Sequence, residues 1–570
     1  MSTQPQTKSS PVEWQPSDAA ELYRIPSWGD PFFFVNEKGH MAVRALDEQG
    51  TTMDVVDIAN ELRRRGVQFP VLLRFQDVLR AQVRRVNEAF RSAIAESNYG
   101  NVYRGIYPIK VNQLHEVVDE LLDAGRPYGM GLECGSKAEL IACLPHIDGE
   151  TLLVCNGVKD RTMLSLMIAG QKLGQNIVPV MEKYSEFTDV KGLAFSTGYM
   201  SQLGVRVRLA TRGAGRWAES SGTNSKFGLN VSELMRMVNE LEASGQQSKL
   251  VLLHCHIGSQ IADIQVLKEA TKEVAQIYAQ LVKRGIALKY LDMGGGLGVN
   301  YDKGHLEEDA GINYALEEYA NAVVFTVKEV CDANEVPTPT LVTESGRALT
   351  AHHSVLIVPV LGAHAKDDPS QDLTVPESAA EPLHALNKIL TALPKTRKQS
   401  ELLEAYHDIN ERLDEVRQLF TLGYLPLAER ALAESLYWRI CTGLLKALKR
   451  AKPDSSRPEI IELEDKLTEL YLCDFSVFQS MLDHWAIGQP FPIVPIDRLD
   501  EHPDKRAVLV DLTCDSDGKV THYVSTRDNR FLPVHPTSNG TPYYLGFFLM
   551  GAYEDIIGDA HNLFGRVTEA

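Results

Sequence analysis
Side chains able to do covalent or acid–base chemistry fall at the ends of short apolar runs in this 570-residue chain. Lys110 follows the run at 102–109, within YPIKVNQ. His256 and Ser259 close the run at 250–258, within HCHIGSQ. Gly294, Gly295 and Gly296 follow 288–294 in DMGGGLG, and Glu344 and Arg347 close 340–345 in TESGR. A lysine at a buried strand end can lose its proton through desolvation and attack a carbonyl, forming a Schiff base. Consecutive glycines let backbone N–H groups approach an anion closely. Arg347 could pair with a phosphate bidentately, Glu344 could hydrogen-bond a protonated ring nitrogen, and His256 could stack on a planar ring. Taken singly, each has a plainer reading. A lone lysine is usually solvated, a glycine run is usually a tight turn, and Glu344 and Arg347 could simply pair with each other.

The elements that must position these residues alternate. Eight strand candidates, at 102–109, 128–134, 151–156, 176–182, 204–210, 250–258, 288–294 and 340–345, are interleaved with helical patterns such as 113–124, 160–174, 263–284 and 312–334. This rhythm predicts an α/β fold, a (β/α)8 TIM barrel, in which chemistry collects at the C-terminal strand ends. An open doubly wound sheet is the alternative, but its phosphate loop normally follows the first strand. The glycine run is no dinucleotide fingerprint, because Val299 stands where the third glycine belongs. His254 and His256 fall on one strand face, a zinc arrangement. Barrel metal hydrolases, however, carry such a pair on the first strand, which here ends in lysine.

The remaining organisation is read as follows: a disordered tail at 1–20, a segment at 21–70 contributing to a β domain, and the barrel at 71–350, opening on a helix at 71–96. The β domain, sandwich-like or barrel-like, is split into 351–365 and 466–570 by a helical-bundle insertion at 366–465, with a linker at 366–378. Acids exceed bases, 76 to 58, for a formal net charge of −18, which argues against nucleic-acid or anionic-membrane partners. Eight cysteines without a CxxC pair suggest reduced thiols and a cytoplasmic protein. The polar N-terminus is not a signal peptide, and no apolar run is long enough to span a membrane.

Lysine, glycine-bound phosphate, ring-nitrogen carboxylate and stacking histidine together describe pyridoxal 5′-phosphate. The motifs YPIKVNQ, LECGSKAEL, HCHIGSQ, LDMGGGLGVNYD, TESGRAL, DLTCDSDG and YYLGFFLMGAYEDIIGDAHNLFG extend from about residue 103 to residue 565. Through them the chain resembles the fold-type III, alanine-racemase-like decarboxylases, and within that group the biosynthetic arginine decarboxylases. The resemblance implies that Lys110 holds the cofactor and His256 stacks on its ring. It gives Ser259, Gly294, Gly295, Gly296, Arg347 and Tyr553 to the phosphate and Glu344 to the ring nitrogen. Glu133 and Arg208 are implied near the ring. Cys514 is implied as a catalytic cysteine, Asp515 as a substrate carboxylate and Asp474 as a second one. It further implies decarboxylation of L-arginine to agmatine on a polyamine route (putrescine and spermidine), and a homodimer or larger assembly with shared active sites. A magnesium ion is implied too, although no Asp or Glu spacing here suggests its site.

Three alternatives stay open at this point: an ornithine decarboxylase, a diaminopimelate decarboxylase, and a non-catalytic pyridoxal-phosphate-binding barrel. Ornithine enzymes lack a large helical insertion. Diaminopimelate enzymes normally carry Cys-Glu where this chain has Cys514-Asp515. Carriers lack the β domain. Relatives also continue beyond NLFG, so a missing final strand and an exposed sheet edge are expected.

Overall fold
Each barrel strand is a run of three to six residues with buried side chains, flanked by a helix that covers its outer side. The computed structural model describes residues 14–46, 49–211, 227–302, 310–396, 398–450, 457–526, 529–537 and 541–570, so residues 1–13 of the expected tail lie outside the described residues. Eight parallel strands close into a barrel. They are β1 (Tyr103–Pro108), β2 (Gly131–Cys134), β3 (Leu153–Cys155), β4 (Ile177–Met181), β5 (Leu203–Arg206), β6 (Leu250–His254), β7 (Tyr290–Asp292) and β8 (Thr340–Glu344). Closure comes from β8 pairing with β1, Leu341 opposite Tyr103 and Glu344 opposite Ile106. The lumen is filled by branched side chains, among them Ile106, Val154, Val178, Val180, Leu252 and Val342, all fully buried. Seven of the eight strand runs read from the sequence contain their strand, and the fifth, 204–210, overlaps β5, which starts one residue earlier at Leu203.

The helices follow their expected spans closely: His115–Gly125, Arg161–Lys172, Ile264–Lys283 and Leu316–Asn334. One reading needs correction. Residues 71–96 are not one helix, since Val71–Arg74 is a strand and the helix runs over Gln76–Ser97. VLLR carries three consecutive buried apolar residues, which fit a strand buried on both faces as well as a helix. Its backbone pairs antiparallel with the long strand β9 (Ser354–His364).

Beyond the barrel, β9 lies at the centre of a second sheet. It pairs with β10 (Glu469–Cys473) on one side and with β14 (Tyr543–Phe547) on the other. The sheet continues through β11 (Ile493–Pro495), β12 (Lys505–Val510) and β13 (Leu532–Val534). Four helices, Glu381–Ala392, Gln399–Thr421, Leu427–Arg450 and Pro458–Lys466, intervene between β9 and β10. They bury their own core, including Leu402, Ile409, Leu436, Ile440 and Leu444. Nearer the N-terminus, Phe33–Val35, Met41–Arg44 and Thr52–Asp54 form a separate antiparallel sheet. The Met41 N–H donates to the Ile496 carbonyl at 2.9 Å, and Trp28 packs on Phe548, so this sheet leans on the β domain. Near the end of the sequence, Thr568–Glu569 pairs with Val71–Arg74, and the Ala570 carbonyl accepts the Arg74 N–H.

Candidate active site
Polar side chains close the lumen at the C-terminal ends of the strands. Every strand end brings one: Lys110, Glu133, Asn156, Glu182, Arg206, His254, Asp292 and Glu344, in the order β1 to β8. Above them opens a cavity of about 160 Å³. Its lining includes Lys110, His256, Ser259, Gly295, Gly296, Glu344, Arg347 and Tyr553, eight of the residues singled out from the sequence.

Lys110 sits in a single tight turn, Ile109–Val111, directly after β1. Its side chain projects into the cavity. Burial works against its charge, but Glu133, Tyr553, Glu344 and Glu139 outweigh it and hold its pKa above the ordinary lysine value. The neighbouring carboxyls thus favour the ammonium form of Lys110, against the desolvation that favours loss of its proton. A second lysine near the rim, Lys159, does not line the cavity and is ion-paired with Glu186 at 3.5 Å.

The carboxyls behave in the opposite way. Burial, then Glu344, pushes Glu133 up to about 7. Burial, then Asp292, does the same to Glu344. One Glu133 oxygen, Oε2, is buried without a hydrogen-bond partner. Glu344 Oε1 accepts from Asn156 Nδ2 at 2.6 Å.

His256 is held by the glycine run. The Gly295 N–H donates to its Nδ1 at 3.1 Å, which leaves Nε2 to carry the ring proton. Burial, then Arg206, Lys110 and His254, lowers its pKa far below the usual value, so the ring is neutral and can lie flat on another ring without charge. The glycines are required by geometry. Gly294 and Gly296 have φ of 69° and 116°. A Cβ on Gly296 would lie 2.4 Å from Ile261 Cδ1, and one on Gly295 would lie 3.0 Å from the Glu344 carbonyl oxygen. Gly294 itself lies behind the cavity wall, where its N–H donates to Asp292 Oδ1 at 2.9 Å.

Arg347 opens the short helix Arg347–Thr350 just after β8 and is nearly buried. Its Nη1 donates to Tyr301 Oη at 3.0 Å, and its guanidinium lies 4.9 Å from the Tyr553 ring centroid. Burial opposes its charge, but Tyr301 and Tyr553 raise its pKa further, so the cation persists. Tyr553 arrives from the far end of the chain with φ 73°, its N–H donating to the Val111 carbonyl at 2.9 Å.

Several expected residues lie elsewhere. Arg208 falls past the end of β5, and its Nε donates to the carbonyls of Phe227 and Gly228 at 3.2 and 2.7 Å. Arg206 takes the inward position instead, 3.3 Å from Glu182 Oε1. Asp474 is half-buried after β10, and its carboxyl is raised by burial alone. Cys514 and Asp515 lie on the β domain surface and do not line the cavity of their own chain. Cys514 is exposed; its N–H donates to Asn562 Oδ1 at 3.1 Å, and Asn562 Nδ2 donates to its Sγ at 3.5 Å. Asp515 is 41% exposed and 3.9 Å from His561 Nε2.

The residues fit pyridoxal phosphate. One cavity joins an amine for its aldehyde, a carboxyl for its ring nitrogen, a neutral imidazole for its ring face, and an arginine with bare glycine backbone for its phosphate. They do not fit magnesium. Among the described residues, the three-donor groups are His115–Asp119–His146 and His254–Asp292–Glu344. Both contain imidazole nitrogen, whereas magnesium takes oxygen donors.

Comparisons with known proteins agree with this geometry. A family model described as the pyridoxal-dependent decarboxylase, pyridoxal binding domain, matches residues 80–351, which contain all eight barrel strands. A second, the arginine decarboxylase helical bundle domain, matches 376–463. The biosynthetic arginine decarboxylase of Deinococcus radiodurans is 45% identical over 97% of this chain and 83% of its own length. The chain belongs to the biosynthetic arginine decarboxylase family. The relative from Gloeobacter violaceus is 42% identical over 97% of this chain and 85% of its own. The crystal structure of the family member from Campylobacter jejuni superposes with a TM-score of 0.82 at 34% identity, covering 96% of this chain and 87% of that one.

The strand-end rule would have found more of the site if applied to every strand. Asn156, Glu182 and Arg206 end the runs at 151–156, 176–182 and 204–210 or stand within them, and none was singled out. Asp292 stands two residues before the glycine run, at the end of β7.

Proposed function
We propose that this chain converts L-arginine to agmatine and carbon dioxide with pyridoxal phosphate at Lys110. The observation that carries the reading is the single cavity in which Lys110, Glu344, His256, Arg347 and the Gly295–Gly296 backbone meet. Bound there, the cofactor supplies an electron sink for the pair left when the carboxylate departs. Lys110 holds the cofactor, His256 packs on its ring, and Glu344 holds a proton at the ring nitrogen. Arg347, Ser259, Tyr553 and the Gly296 N–H bind its phosphate, with Gly295 leaving its backbone bare beside it. Glu133 and Arg206, at the ends of β2 and β5, would set the charge around the bound cofactor. Arginine loses its carboxylate as carbon dioxide, and Cα takes up one proton in its place. The Cys514 thiol delivers that proton, and the Asp515 carboxylate pairs with the guanidinium through two parallel N–H···O bonds.

Cys514 and Asp515 serve the cavity of a partner subunit in this reading, supported by their exposure and by their absence from the cavity of their own chain. The working unit is then a homodimer, or a larger assembly built from it. Agmatine would feed polyamine synthesis, towards putrescine and spermidine. A cytoplasmic location is supported by eight cysteines in the free thiol state. No described helix is long and apolar enough to cross a membrane. Magnesium has no part in this reading.

The test is carbon-dioxide release from arginine, ornithine, lysine and diaminopimelate by the cofactor-loaded chain. Arginine is expected to exceed the others in kcat/KM by on the order of 10²-fold or more, because a carboxylate placed for a planar guanidinium is poorly matched by an ammonium. A preference for ornithine or diaminopimelate would overturn the choice of substrate.

A further inference from the structure
Behind Glu344 lies a buried pair with no part in the reaction described so far. His254 at the end of β6 stands directly opposite Asp292 at the end of β7. The two are 1% and 0% exposed, and His254 Nδ1 is 2.9 Å from Asp292 Oδ2. The same nitrogen is 3.6 Å from Glu344 Oε1. Neither His254 nor Asp292 lines the cavity, while Glu344 does. The pair therefore touches the carboxyl that meets the cofactor without touching the cofactor.

The hydrogen bonds decide how charge is shared. An imidazole nitrogen facing a carboxylate is the protonated one, so Nδ1–H is the donor. Asp292 thus accepts two N–H bonds, one from His254 and one from Gly294 at 2.9 Å. Glu344 accepts one, from the neutral amide of Asn156. Two buried carboxyls this close cannot both hold full charge, and the better-solvated one keeps it. With two N–H donors against one, Asp292 is the better-stabilised anion and Glu344 the better holder of the shared proton. Facing this group from the other strand ends are Lys110, Glu133, Glu182 and Arg206.

We propose that His254, acting through Asp292, is a positioning residue for Glu344: the pair fixes where the Glu344 carboxyl sits and leaves it holding the proton that the cofactor ring requires. The inference rests on the reading of Glu344 as the partner of the ring nitrogen. His254→Leu removes the donor. Asp292 is then a buried carboxylate with one partner lost, and the proton moves from Glu344 to Asp292. His254→Asn keeps an N–H near the position of Nδ1.

The experiment measures the dissociation constant of pyridoxal phosphate from the cofactor-free chain and the position of the cofactor's visible absorbance band. Parent, Glu344→Gln, His254→Leu and His254→Asn are compared, with folding checked by circular dichroism. Glu344→Gln and His254→Leu are expected to move the band in the same direction and to weaken binding about ten-fold or more, while His254→Asn stays within about three-fold of the parent. A merely structural His254 would lower the melting temperature and leave both readouts in place. Parent-like binding and band in His254→Leu, with Glu344→Gln altered, would overturn the inference and leave the reading of Glu344 standing. Parent-like values in both would overturn that reading and the inference with it. A His254→Asn chain as weak as His254→Leu would also overturn it, because bulk and not the N–H would then matter. If His254→Leu does not fold, Asp292→Asn is judged by the same criteria.

Discussion

Lys110→Ala is expected to lower arginine turnover by on the order of 10³-fold or more and to abolish the visible band of the covalently held cofactor. Among the described residues no other amine lines the cavity, so none of them can replace it. Lys159 is buried, ion-paired with Glu186, and does not line the cavity. A second effect accompanies the first. The Lys110 ammonium offsets Glu133 and Glu344, so its removal leaves two buried carboxyls without that counter-charge. Both will hold their protons more firmly, and the cofactor-free variant will differ from the parent in how its melting temperature depends on pH. Lys110→Arg separates the two effects. It keeps the charge and lacks the nucleophile, so its turnover falls as far as that of Lys110→Ala while its pH dependence stays near the parent. Turnover retained in either variant, with the protein folded, would remove Lys110 from the mechanism.

Cys514→Ala and Lys110→Ala, each nearly inactive alone, are expected to restore activity when mixed. The loss in Cys514→Ala is set at about 10²-fold or more, the usual range for removing a positioned proton donor. The reasoning is geometric. Cys514 and Asp515 stand on the outside of the β domain, tethered to Asn562 and His561, while the cavity of their chain lies in the barrel. If each loop completes a partner's cavity, a mixed dimer has one site with both defects and one with neither. Random re-pairing makes half the dimers mixed, so roughly a quarter of all sites become intact. The measurement is carbon-dioxide release after co-expression or subunit exchange. No recovery beyond the sum of the separate variants would mean that each chain uses its own Cys514, or none.

Much of the barrel could be read from the chain because its strands advertise themselves. A strand buried on both faces is a short apolar run, and its C-terminal residue is then a site candidate. Lys110, His256, Ser259, Glu344 and Arg347 were all found this way and all face one cavity. The resemblance implies Arg208 near the ring, but β5 stops at Arg206 and Arg208 falls past its end. VLLR at 71–74 was read as helix because three adjacent apolar residues have no period of their own. Tyr553 could be reached only through resemblance: it lies more than four hundred residues from Lys110 and is brought close by the Val111 carbonyl holding its N–H. His254 and Asp292 were hidden for another reason. Their contact spans two strands, and only the register of β6 on β7 sets them opposite one another.

The most direct measurement asks where the cofactor attaches. The chain is loaded with pyridoxal phosphate, reduced with borohydride so that a Schiff base becomes a stable secondary amine, digested, and mapped by mass spectrometry. The expected result is one modified peptide, containing YPIKVNQ and labelled at Lys110. A label at Lys159 or another lysine, or a folded and active chain that takes no label, would contradict the assignment of the cavity.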